Sequence, residues 1–184
     1  MANSGESLSL ALQKAANPVN ASAQKAYMRN KFDFFGLKAG DRRAIQHPFL
    51  SKNKLPSKLL LPETIEILWN KPQREFQLIG QELAVKYVKQ LAPDDMQIYE
   101  YMVLHKSWWD TVDYIAANLM GSYFKKYPEH RLQYVNKWLD SNNIWLQRSA
   151  LLFQLKYKEQ LDTELLKYTI EKLLGSKEFF INKA

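Results

Sequence analysis

The stretch HKSWWDTVDYI, residues 105–115, indicates the type of fold that a large part of the chain adopts. It has the features of a helix start: Ser107 suits an N-cap, and Asp110, three residues later, favours the positive end of the helix dipole. Trp109 and Asp113 are four residues apart and share a helix face. That face lies about 70–110° from the apolar stripe of the same helix, so the pair is a candidate for function. The stripe consists of Trp108, Val112, Ile115, Ala116, Leu119 and Tyr123.

Composition limits the class of protein. The chain has 184 residues, 46% of them hydrophobic, which is enough for one domain or a short repeat array and excludes general disorder. Six glycines and seven prolines are too few turn formers for an all-β protein of this length. The sequence has no apolar run of about 18 residues and no secretory signal in its first ten residues. The absence of cysteine excludes thiolate chemistry and fits a reducing cytoplasm, where we expect the protein to act.

The net charge of +7 is concentrated in one segment. Residues 25–58 hold nine Lys or Arg and two Asp, whereas the remaining chain holds 17 basic and 17 acidic residues. A focused basic region favours a polyanion as partner, nucleic acid first and anionic lipid second. A solvated surface without a partner is the alternative.

Polar residues that suit N-caps recur at a nearly constant spacing in the second part of the chain. Successive members are separated by 37, 35 and 34 residues: Asn70, Ser107, Asn142 and Ser176. Each is predicted to open the second helix of a pair, over residues 72–90, 108–125, 143–157 and 177–184. The predicted partner helices cover residues 94–104, 129–140 and 163–174. This pattern is typical of an all-α superhelix, a solenoid of HEAT-like helix-pair repeats, and we expect one such domain over residues 1–184.

Upstream of the repeats the pattern is less regular but still helical. Two amphipathic helices are predicted over residues 4–16 and 20–30. Asp41 opens a basic helix, and a further helix ends at Trp69. No strand-rich segment is predicted anywhere in the chain.

Equivalent positions in neighbouring repeats point to the same side of a solenoid. Asp113 and Arg148 each come six residues after a predicted cap. Since packed helix axes are about 8–10 Å apart, Trp109, Asp113 and Arg148 should converge. Arg148 stands in line with apolar residues, so it needs a carboxylate, a phosphate or water as partner. Two interpretations stay open: a structural bridge to Asp113 or Asp110, or a grip on a DNA phosphate beside Asp113.

The sequence contains few other residue patterns that are typical of metal binding or catalysis. His47, His105 and His130 are scattered without metal-ligand spacing, so we expect no metal and no other cofactor. No phosphate-binding glycine loop and no nucleophile-elbow motif occurs. Lys106 lies on the same face as Asp113, so a lysine Schiff base is a further alternative.

Four stretches together resemble the AlkD-type DNA alkylation repair glycosylases. They are YMRNKF at 27–32, KSWWDTVD at 106–113, NIWLQR at 143–148 and KEFFI at 177–181, and the resemblance extends over essentially the whole chain. That family is an α-solenoid of HEAT-like repeats that removes N3- and N7-alkylated purines from DNA. The resemblance therefore implies a monofunctional glycosylase for 3-methyladenine and 7-methylguanine in double-stranded DNA.

The resemblance also implies roles for single residues. Trp109, Asp113 and Arg148 would line the lesion site, with Tyr27 close by. Asp113 would stabilise an oxocarbenium-like sugar, Trp109 would pack on the deoxyribose, and the damaged base would not swing into a closed pocket. The residues expected to contact substrate or DNA are Tyr27, Arg29, Lys31, Arg42, Arg43 and Lys106.

Family members continue beyond the position of Ala184, so we expect the sequence to be truncated at its C-terminus relative to the family. The resemblance further implies a monomeric bacterial protein of the cytoplasm, with neither a membrane nor a metal as partner. Two alternatives are a non-catalytic HEAT-like module that binds the DNA backbone or a protein, and a purely structural scaffold.

Overall fold

The described residues form helices joined by turns and short irregular segments. The computed structural model describes residues 2–184, and their side chains from residue 7 onward. In these residues the backbone forms no β-strand, only an isolated bridge between Asp33 and Gln73. The α-helices are α1 (Ala2–Lys14), α2 (Pro18–Tyr27), α3 (Ala39–Gln46), α4 (Leu61–Asn70), α5 (Arg74–Val85), α6 (Asp95–Leu104), α7 (Trp109–Ile115), α8 (Gly121–Lys126), α9 (Arg131–Asp140), α10 (Ile144–Leu152), α11 (Thr163–Leu173) and α12 (Phe179–Asn182). The predicted all-α fold is confirmed, and none of the helices among residues 2–184 has the length and apolar character to cross a membrane.

The first of two compact units ends at Leu83. Its core joins helices that are distant in sequence through Leu8, Leu12, Leu37, Phe76 and Ile79. Glu75 is 1% exposed and accepts hydrogen bonds from the backbone N–H groups of residues 35–37, at 3.1, 3.0 and 3.3 Å. Gly36 in this segment has a φ of +85°, and a Cβ there would lie 2.1 Å from the carbonyl oxygen of Asn17. The carboxylate of Glu75 thus holds a turn that requires glycine.

The second unit covers residues 84–184, and hydrogen bonds tie its successive repeats together. The bonds join residues 35 to 37 positions apart: Arg148 to Asp113, Tyr157 to the carbonyl of Gly121, and Lys137 to Glu100. The predicted period of about 35 residues therefore appears directly as the spacing of side-chain contacts.

Three of the four residues predicted as N-caps lie in the turns between helices, and none of the four is the cap itself. Ser107 donates its hydroxyl hydrogen to the carbonyl of Val103 and so closes α6. Asn70 is the last residue of α4, and Ser176 accepts a backbone N–H two residues later. Asn143, one residue after the predicted position, caps α10 by accepting from two N–H groups of its first turn. Because polar side chains suit turns as well as caps, the period is right although each cap is displaced.

A left-handed turn recurs between the paired helices of the second unit. Lys106, Asn142 and Gly175 have φ values of +49°, +54° and +85°. Gly and Asn tolerate this conformation, whereas other residues lose roughly 1–2 kcal/mol in it. Lys106 is therefore the strained member of the series.

The helix that begins at Trp109 contains a π-helical turn over Ala116–Met120, in which the N–H of Gly121 donates to the carbonyl of Ala116. A π-turn holds one residue more than an α-helical turn. The buried face therefore widens beyond the predicted stripe, to include Ala117, Met120, Gly121 and Phe124.

Candidate active site

Asp113 on α7 and Arg148 on α10 form a bidentate ion pair. The Nε of Arg148 donates to Oδ1 of Asp113 at 2.6 Å, and its Nη2 donates to Oδ2 at 2.8 Å. The side chain of Arg148 is 7% exposed and that of Asp113 is 33% exposed. Two parallel hydrogen bonds fix the plane of the carboxylate, and the buried position of the cation leaves the negative end of the pair accessible. The predicted proximity of these two residues is observed.

The third nitrogen of the guanidinium is also engaged. The Nη1 of Arg148 donates to the backbone carbonyl of Phe180 in α12. All three nitrogens of Arg148 therefore have acceptors within the protein, and one carboxylate takes two of them. This geometry favours the first interpretation of Arg148, a structural bridge to Asp113, over a direct grip on a phosphate.

The two adjacent indoles differ in exposure, as the helix periodicity predicts. Trp108 is 6% exposed, and its ring lies 5.6 Å from that of Trp145 and 4.9 Å from that of Phe180. Trp109 is only half-buried and begins α7, one turn before Asp113. The large side chain outside the core is therefore the one next to the accessible carboxylate.

Lys106 lies in the left-handed turn before α7 and is half-buried. It belongs to the same unit as Asp113. The second unit thus contains four of the predicted site residues, namely Lys106, Trp109, Asp113 and Arg148.

The other predicted DNA-contacting residues belong to the first unit. Tyr27 is 71% exposed, and Arg29 and Lys31 in the turn after α2 are exposed as well. Arg29 and Asn30 have φ values of +54° and +58°, so this turn holds two consecutive residues in the left-handed region. Asn tolerates this region, so the strain lies at Arg29, and strained residues are frequent where a protein presents side chains to a ligand.

Arg42 requires a correction, because it was predicted among the DNA-contacting residues and is 3% exposed. It donates to Glu82 at 2.9 Å and to Gln46 at 2.8 Å. Burial disfavours the ionised form of Glu82, but Arg42 outweighs it with the help of Gln46 and Arg43, and the pKa of Glu82 lies below its ordinary value. Arg42 therefore stabilises the first unit from inside, whereas the side chain of Arg43 is 61% exposed.

Two further features lie apart from these residues. Among the residues that the structure describes, no group of three His, Cys, Asp or Glu side chains is placed to hold a metal ion. A groove of about 400 Å³ is lined by residues of α9, α11 and the turns before them, including Leu132 and Glu164. None of the predicted site residues lines that groove.

Sequence reasoning did not assign a role to Phe180. The residue stands in the KEFFI stretch, but its polar contribution to the site comes from the main chain. A backbone carbonyl has no signature in the sequence, so no pattern of side chains could have revealed it.

Comparisons with known proteins agree on one family. The family model described as DNA alkylation repair enzyme matches residues 8–184. Among solved structures, the "Predicted DNA alkylation repair enzyme from Enterococcus faecalis" matches with a TM-score of 0.83 and 30% sequence identity, over 91% of this chain and 78% of that chain. No curated protein matches the chain. The TM-score shows that the two proteins share one helical fold.

Proposed function

The chain belongs to the DNA alkylation repair enzyme family, and we propose that it is a monofunctional DNA glycosylase for N3- and N7-alkylated purines. Family membership makes it a DNA repair enzyme with DNA as its substrate. One observation carries the finer proposal. Asp113 presents an accessible carboxylate, held in a fixed plane by buried Arg148, beside the half-buried indole of Trp109.

The chemistry of the substrate suits a site built on one carboxylate. An N3- or N7-alkylated purine carries a positive charge, so it leaves with the electrons of the C1′–N bond as a neutral base and needs no general acid. Water then bonds to C1′ and releases a proton. The enzyme has to stabilise the oxocarbenium-like sugar between these events, and a Lewis acid is not required.

Electrostatics sets the size of the effect expected from Asp113. A carboxylate about 4 Å from a unit positive charge gains roughly 4 kcal/mol at an effective dielectric constant of 20. If this gain is realised only in the transition state, it corresponds to about a thousandfold in rate. Arg148 lies on the buried side of the pair, so its task in this proposal is to orient Asp113.

Trp109 and four cations complete the proposed interaction with DNA. The π face of the indole attracts positive charge and shields the sugar from water. Lys106 in the second unit, and Arg29, Lys31 and Arg43 in the first, would neutralise phosphates, and Tyr27 in the first unit would contact the substrate. The base stays outside any closed pocket, so bulky adducts would be accepted, and the proposed enzyme acts as a cytoplasmic monomer.

The proposal is tested by incubating the protein with methylated duplex DNA and measuring the release of 7-methylguanine and 3-methyladenine. We expect release by the parent protein and a loss of about 10²–10³-fold in the rate for Asp113→Asn, because the substitution removes the charge and keeps the shape. Asp110→Asn, on the same helix, is the matched control and should retain the parent rate. The proposal is wrong if the parent releases neither base, or if Asp113→Asn is as fast as the parent.

The exposed cations of the first unit favour a second candidate, a non-catalytic module that binds the DNA backbone. This candidate predicts DNA binding that weakens strongly with salt, and no base release from methylated DNA. The same incubation separates the two, since only a glycosylase produces free base.

A further inference from the structure

The ring of Phe180 contacts the beginnings of the two helices that carry the ion pair. Its centroid lies 4.9 Å from that of Trp108, which immediately precedes α7, and 4.9 Å from that of Trp145, the second residue of α10. Both indoles are buried, at 6% and 9% exposure. Edge-on and tilted aromatic contacts at these distances are attractive, so the position of residue 180 is fixed relative to both helices.

The backbone carbonyl of Phe180 is bound by a side chain of another helix. The N–H groups of Lys183 and Ala184 donate to the carbonyls of Phe179 and Ile181. The carbonyl of Phe180 instead accepts from the Nη1 of Arg148. Carbonyls at the end of a helix need hydrogen-bond donors from outside it, and a charged donor makes the stronger bond.

The segment that carries this carbonyl is fixed by further contacts. Asn182 donates through Nδ2 to the carbonyl of Ser176 at 2.9 Å, and the N–H of Glu178 donates to Oγ of Ser176 at 3.2 Å. Ile181 is 5% exposed and anchors the turn in the apolar interior of the unit. The carbonyl is therefore held from both sides along the chain.

From these contacts we infer that Phe180 is a positioning residue for the reactive carboxylate. Its ring fixes the segment against Trp108 and Trp145, its carbonyl fixes one end of the guanidinium of Arg148, and the other end fixes Asp113. A planar guanidinium held at its third nitrogen cannot swing without rotating the carboxylate as well. This inference rests on the proposed function only for its effect on rate, since the positioning itself is a property of the free protein.

The kinetic test uses Phe180→Ala and measures single-turnover base release at saturating enzyme. We expect the rate constant to fall about 10- to 100-fold while the Kd for DNA stays within about twofold, because a misplaced catalytic group costs rate and not binding. Phe180→Tyr keeps the ring and should recover most of the rate. Phe179→Ala is the matched control: the neighbouring ring is 57% exposed and should be dispensable for the rate constant.

A double-variant cycle with Arg148→Ala tests whether Phe180 acts through the guanidinium. If it does, Phe180→Ala lowers the rate no further in the Arg148→Ala background. If Phe180→Ala proves too unstable to purify, Phe180→Leu keeps the apolar volume without the flat ring and is used in its place.

The positioning is also visible without catalysis, in the ¹⁵N–¹H NMR signal of the Arg148 Nε–H. We expect slow hydrogen exchange in the parent protein, and exchange at least about 10-fold faster in Phe180→Ala, since the loosened guanidinium opens more often. Unchanged exchange overturns the inference even if no base is released. An unchanged rate constant, or an equal loss of rate in the Arg148→Ala background, overturns it as well, whereas a parent protein without base release contradicts the proposed function alone.

Discussion

Lys106 and Asn142 occupy the same left-handed turn in consecutive repeats of the second unit. Asn is a usual occupant of that conformation and Lys is not. The repeat in which Lys stands is the one that carries Trp109 and Asp113, so the strain coincides with the candidate site.

Substitutions at Lys106 separate the strain from the charge. Lys106→Gly should unfold at a higher urea concentration than Lys106→Ala, and its free energy of unfolding should be larger by about 1 kcal/mol, because glycine is relaxed at a φ of +49° and alanine is not. Both variants lack the ammonium group, so both should bind DNA more weakly than the parent and to the same extent. Urea denaturation and DNA titration measure the two effects, and parent-like DNA affinity in both variants would remove Lys106 from the proposed contacts.

The exposed and the buried cations of the first unit should respond differently to substitution. Arg29→Ala combined with Lys31→Ala should lower DNA affinity and reduce the slope of log Kd against log salt by about 0.9 for each lost phosphate contact. Arg42→Gln should leave that slope unchanged and lower the free energy of unfolding, because its guanidinium is buried against Glu82. DNA titrations at several salt concentrations decide the point, and a changed slope for Arg42→Gln would contradict the assignment.

Glu75 is expected to be essential to the stability of the first unit. Glu75→Gln should lower the free energy of unfolding by about 2–3 kcal/mol, since an amide replaces one charged acceptor and brings a donor towards backbone N–H groups. Glu66→Gln, at an exposed position on α4, is the control and should change stability little. Denaturation in urea compares the three proteins, and equal stability of the two variants would show that the three hydrogen bonds contribute nothing.

Glu82 should make the protein sensitive to acid. Its pKa is 4.5 in a model peptide and lower in the folded protein, so its contribution is fully present above about pH 4.5 and is lost as the pH falls through the folded value. Between pH 7 and pH 3 the free energy of unfolding should therefore fall less steeply for Glu82→Gln than for the parent. An unchanged slope for Glu82→Gln would show that this carboxylate is not linked to folding.

Sequence periodicity predicted the architecture well because the repeat depends on the spacing of apolar and turn-forming residues, which can be read from the sequence. Apolar stripes identified most helices, and turn-forming polar residues revealed the period. The N-caps were misplaced because the same residue types serve turns: Ser107 closes α6, and Asn143 takes the role assigned to its neighbour. The spacing of these turn residues therefore predicts the repeat length more accurately than it predicts the residue at which each helix begins.

The contacts of the site were predictable only where two side chains one repeat apart form a bond with each other. Arg148 and Asp113 hold equivalent positions, so their pairing followed from the period. The burial of Arg42 did not, because a count of charges cannot distinguish a cation that faces solvent from one that faces Glu82. Phe180 acts through its main chain, and the π-turn after Asp113 changes the helical phase without a recognisable residue pattern.

That π-turn gives the helix of Asp113 one residue more than a regular α-helix of the same length would hold. If one residue between Ala116 and Met120 were deleted, the i to i+5 hydrogen bonds would shorten to ordinary i to i+4 bonds, and the flanking segments would keep their facing. The same deletion at the level of Asp113 would instead rotate Trp109 by about 100° relative to the rest of the helix. A one-residue deletion should therefore be tolerated in the π-turn, although the neighbouring turn that carries Trp109 and Asp113 should not tolerate one.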